Sequence, residues 1–99
     1  MADLLLGDVH SLKEKRSVVR PVVAELRRKY AVAAAEVGDA DLHRRTQVGV
    51  AAVAADAAHV NELLDACERL LADRPEVQLL AARRQLLSGD DDVGDVEER

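Results

Sequence analysis

Ser11-Leu12-Lys13-Glu14-Lys15-Arg16-Ser17-Val18-Val19-Arg20, running on as Pro21-Val22-Val23-Ala24-Glu25-Leu26-Arg27-Arg28-Lys29-Tyr30, is the stretch from which the rest of the chain can be read. It opens as a capping box. The Ser11 hydroxyl is placed to accept from the Glu14 backbone amide while the Glu14 carboxylate reaches back to the Ser11 amide, so a helix is expected to start here. Leu12, Val19, Val22, Val23, Leu26 and Tyr30 then recur at helical spacings, which at about 100° per residue gathers them on one face. Lys13, Arg16, Arg20 and Arg27 share another sector, expected on the opposite side. Pro21 removes the bond its amide would make to the Ser17 carbonyl, and a kink is expected there rather than a break, because the apolar stripe continues past it.

Outward from this helix, Asp56 is a good N-cap for a second one, with Val60, Leu63, Leu64, Cys67, Leu70 and Leu71 at helical spacings and Arg74-Pro75 as its end. The intervening stretches, residues 2–6, 31–37, 47–55 and 76–87, read as strands. Val48, Val50 and Ala52 alternate with Gly49, Ala51 and Val53, and Val77, Leu79 and Ala81 alternate with Gln78, Leu80 and Ala82. Gly7 and Gly38 supply turns between elements. The order strand, helix, strand, strand, helix, strand predicts an α+β fold of the ferredoxin-like βαββαβ kind, two helices packed on one face of a four-stranded antiparallel sheet. Residues 1–87 are expected to form this single domain and residues 88–99 an acidic disordered tail.

The chain has 99 residues, enough for one core, and Tyr30 is its only aromatic residue. Its apolar runs are far shorter than the roughly 18 residues a membrane-spanning helix needs. The first residues carry acids where a secretion signal would be basic, so a cytoplasmic location with no membrane association is expected. Cys67 has no second thiol to pair with. The net charge of −5 is uneven: residues 10–30 hold seven cations against two acids, and residues 88–99 hold six acids against Arg99.

His10-Ser11-Leu12-Lys13-Glu14-Lys15-Arg16-Ser17-Val18-Val19, followed by Ala35-Glu36-Val37-Gly38, resembles the YlxP-like family, the bacterial domain of unknown function 503. The likeness extends through residues 45–87, where Val48 to Val53 and Glu76-Val77-Gln78-Leu79-Leu80 look like the third and fourth strands of that family. The resemblance implies a βαββαβ fold, no known catalysis, and genes that tend to sit beside those of translation and ribosome-maturation factors. Members of the family usually begin several residues earlier, so a truncated first strand is expected.

No catalytic constellation is expected. Ser11 beside His10 is better explained as a helix cap than as a nucleophile, since no glycine-rich elbow surrounds it. His10, His43 and His59 lack ligand spacing, so no metal, and no cofactor, is expected. Glu36, Asp39 and Asp41 form a carboxylate group around Gly38, most simply a polar turn, and Cys67 falls on the apolar stripe of the second helix, most simply a core residue.

The residues singled out for function are Lys13, Arg16, Arg20, Arg27 and Arg28, a basic helix face that could neutralise phosphates. Arg44, Arg45, Arg83 and Arg84 are candidates to enlarge it. The central strands carry no aromatics for base stacking, so contact with RNA or a ribosomal subunit is expected to go to backbone and shape. The competing expectation is a protein-interaction or homodimer module using open sheet edges at residues 31–37 and 76–87, without nucleic acid. No small-molecule substrate is expected under either.

Overall fold

Ser11 acts as the cap that its sequence context predicts. In the computed structural model, which describes residues 1–38 and 42–87, its Oγ accepts from the Glu14 amide at 3.1 Å. Helix α1 follows over Leu12–Lys29. The reciprocal half of the box differs from the expectation in one respect. The Glu14 carboxylate accepts from the His10 amide at 2.7 Å rather than from Ser11, satisfying the orphan donor one residue further back. The helix runs unbroken through Pro21, which is exposed, as is Ser17; the carbonyl deprived of its partner thus faces water. Tyr30 closes the helix, its amide bonding the Leu26 carbonyl at 3.1 Å.

The six elements occur in the expected order: β1 (Ala2–Leu6), α1, β2 (Val32–Val37), β3 (Arg45–Ala52), α2 (Ala57–Asp73) and β4 (Val77–Ala82). Asp56 caps α2 by accepting from the His59 amide at 2.8 Å, and the helix stops one residue before Arg74-Pro75. The strands form one antiparallel sheet in the order β2-β3-β1-β4. β2 and β4 thus supply the two edges, within the stretches 31–37 and 76–87 from which the sequence indicated them. The register between β1 and β4 shifts between Asp3 and Leu4, the mark of a bulge that adds local twist.

Alternation along the strands shows which face the helices cover. Ala2, Leu4 and Leu6 are buried while Asp3 and Leu5 are only half-buried. Leu4, Leu6, Val22, Leu26, Val48 and Leu71 are among the most completely buried side chains and centre the core between sheet and helices. Each contributes about 1.5–3 kcal/mol of burial.

Three boundaries move from their expected places. β3 begins at Arg45 and ends at Ala52, because Leu5 pairs with Arg45 and Val53, 92% exposed, has left the sheet. β4 ends at Ala82 rather than Leu87. The last pairing beyond it joins Arg83 to Met1, the Arg83 amide donating to the Met1 carbonyl at 2.9 Å and the Met1 ammonium to the Arg83 carbonyl at 2.7 Å. β1 spans five residues and is paired on both sides, which gives a short strand its hold. The expected tail at 88–99 lies outside the described residues. Among the described residues no helix is long and apolar enough to cross a membrane.

Candidate nucleic-acid interface

At 100° per residue, the buried set of α1, Lys15, Val19, Val22, Val23 and Leu26, occupies a sector about 100° wide. Lys13, Arg16, Arg20 and Arg27 fall within about 60° of one another, centred about 100° from the middle of that buried sector. They therefore flank the apolar stripe rather than oppose it. The guanidinium of Arg27 shows which flank this is: its Nε donates to the Ala34 carbonyl of β2 at 2.9 Å, so the basic row runs along the side of α1 nearest the β2 edge.

All four side chains are exposed. Lys13, Arg16 and Arg20 make no hydrogen bond or ion pair with any described residue, and no acidic residue of α1 shares their sector. From Lys13 to Arg27 the row is about 21 Å long. Arg28 does not join it. It lies about 90° further round, with Nη2 3.9 Å from the Glu25 carboxylate. Lys29 approaches the same carboxylate at 4.0 Å, and Glu25 is held more firmly by Arg74, which caps α2 and also binds Glu76.

The four further arginines divide. Nε of Arg44 donates to the Leu6 and Gly7 carbonyls at 3.3 and 3.1 Å, tying the β2–β3 connection to the segment that leads into α1. Arg45 is paired opposite Leu5. Arg83 and Arg84 follow β4, at the sheet edge opposite β2, and Arg84 is neutralised by Asp65 and Glu68 of α2 at 2.8 and 3.0 Å. Neither adds to the row on α1.

Lys15, one of the seven cations of residues 10–30, is not a surface charge. Lys15 is 1% exposed, and its Nζ lies 3.0 Å from Glu36 Oε2. That same oxygen accepts from the Thr46 hydroxyl at 2.6 Å. Glu36 thus belongs to an internal network under α1 and not to a carboxylate site; Asp39 and Asp41 lie outside the described residues. Spacing alone could have revealed Lys15, which stands four, seven, eight and eleven residues before Val19, Val22, Val23 and Leu26.

The remaining candidates have local explanations. His10 stands 3.5 Å from Asp8 and His59 is 3.6 Å from Glu62, and no group of metal-ligating side chains occurs among the described residues. Cys67 is buried in the core, where desolvation pushes its thiol pKa up, partly countered by Arg84. Tyr30 sits half-buried at the end of α1, so the open face of the sheet offers no aromatic platform.

The family model described as "Protein of unknown function (DUF503)" matches residues 1–84. A relative, the "Uncharacterized protein YlxP" of Bacillus subtilis (strain 168), is 28% identical over 83 residues, covering 84% of this chain and 90% of the relative.

Proposed function

We propose that this chain, which belongs to the DUF503 family, is a non-catalytic module that binds the backbone of structured RNA, on the ribosome or its precursors, through the β2-side flank of α1. The observation that carries this reading is the state of Lys13, Arg16 and Arg20: three exposed cations with no partner among the described residues, in a sector of the helix free of acids. Arg27 extends the row, since the Nε bond to Ala34 leaves its terminal nitrogens available. Long basic side chains held in a line by a helix neutralise phosphates and release counterions, a favourable term that requires no base-specific contact. The absence of aromatics from the sheet sends recognition to shape and backbone, as does a row of about 21 Å, long enough to meet several phosphates.

Four phosphate contacts give a slope of about −3.6 in log K against log salt, or about a hundredfold loss of affinity between 50 and 200 mM salt. Fluorescence titration with structured ribosomal RNA at these two salt concentrations tests this. The triple variant Lys13→Ala, Arg16→Ala, Arg20→Ala should bind more weakly and show a slope of about −1. Equal weak binding by both proteins at both salt concentrations refutes the reading and turns attention to the sheet edges.

A further inference from the structure

We infer that the acidic segment 88–99 docks in cis on the basic flank of α1 and competes there with a polyanion. The inference takes its surface from the RNA reading above, although the docking itself does not require RNA. Two observations lead to it.

The first is a pair of matched, separately placed charges. The flank presents Lys13, Arg16, Arg20 and Arg27, of which the first three have no partner among the described residues. Residues 88–99 carry Asp90, Asp91, Asp92, Asp95, Glu97 and Glu98 against the single cation Arg99. The cation closest in sequence to the acidic run that follows a helix-packed strand, Arg84, is already held by Asp65 and Glu68. Those two acids leave it little attraction for a third.

The second is reach. The acidic segment continues directly from Leu87, beyond β4, and β4 and β2 are the two edges of the sheet. Three interstrand spacings separate them, about 14 Å. Eleven extended residues from Leu87 to Glu98 span up to about 36 Å, more than twice that edge-to-edge width. Tethering by so short a segment raises the local concentration of carboxylate into the millimolar range, so even weak pairing gives substantial occupancy. A polyanion with more charge displaces the segment, and its apparent affinity is lowered by the fraction of chains whose flank is free.

The experiment uses the full chain and a variant with Asp90→Asn, Asp91→Asn, Asp92→Asn, Asp95→Asn, Glu97→Gln and Glu98→Gln. Amide NMR spectra of both are recorded in low salt and at 1 M, where the Debye length falls to about 3 Å. Amides between Lys13 and Arg27 should differ between the two proteins in low salt and coincide at 1 M. The difference should also disappear when both carry Lys13→Ala, Arg16→Ala and Arg20→Ala. Unchanged α1 amides, or changes confined to the exposed Arg69 and Arg83, overturn the inference.

Titration with structured RNA supplies the second arm. The neutralised chain should bind about threefold more tightly in low salt, the gain expected if the segment occupies about two-thirds of the flanks. RNA binding that depends on the flank but is indifferent to the neutralised acids overturns the competition. Shifted α1 amides in a chain that binds no RNA support the docking and remove the RNA reading instead.

Discussion

Replacing Glu36 by Gln should destabilise the domain far more than replacing its partner Lys15 by Met, although the two changes break the same ion pair. The Lys15 side chain is 2% exposed and that of Glu36 24%, with 3.0 Å between Nζ and Oε2. Glu36→Gln takes the carboxylate away from an ammonium that water barely reaches. Removing one partner of a fully buried pair costs about 3–5 kcal/mol, and the partial exposure of Glu36, together with the further interaction that Lys15 makes, brings the expectation to about 2–3 kcal/mol. At about 4–8 °C per kcal/mol for a domain of this size, the midpoint of thermal unfolding should fall by about 10–20 °C.

Lys15→Met keeps most of the buried stem volume and removes the charge that is expensive to desolvate. Glu36 retains the Thr46 hydroxyl at 2.6 Å and its access to water, so the loss should be about 0–1 kcal/mol. The double variant should resemble Lys15→Met, leaving a coupling of about 2–3 kcal/mol between the sites. Urea denaturation measures each, as a change of midpoint at constant slope. The reasoning fails if Lys15→Met loses as much as Glu36→Gln, or if the two losses simply add.

Gly38 has φ +80, and a Cβ there would collide with Gln47 Oε1, on a side chain whose amide donates to Asp3 at 2.7 Å; Gly38→Ala should cost about 1–2 kcal/mol in urea denaturation, and an unchanged midpoint would contradict the geometry. Cys67 is 3% exposed and its thiol pKa is raised chiefly by burial. Alkylation of the native chain should therefore run at least about a hundredfold slower than in unfolding urea, and rates within tenfold of each other would show the thiol to be accessible.

Much of this architecture was legible because its signals are local. The hydroxyl of Ser11, the carboxylate of Asp56 and the ring of Pro75 act on backbone a few residues away, so the helix limits follow from nearest neighbours. Alternation in residues 48–52 names the buried side of β3 for the same reason, since side chains in a strand change face at every step. Where α1 meets the sheet, the reading needed a partner from elsewhere. Lys15 counts as one more cation of a basic segment until β2 brings Glu36, and β3 brings Thr46, beneath it. Arg27 counts as one more cation of the helix until β2 brings the Ala34 carbonyl to its Nε.

The flank on which the cations stand was obscured in a similar way. Spacing relates Lys13, Arg16, Arg20 and Arg27 to one another, but which strand they run beside depends on how the helix is rolled against the sheet. Composition and periodicity alone were thus sufficient for the order of elements, their caps and the buried stripe, because short-range sterics and hydrogen bonds determine these. Which charges are spent inside the protein, and which remain for a partner, was decided only when segments distant in the chain were packed together. An ion pair depends on separation in space, and the sequence specifies separation only along the chain.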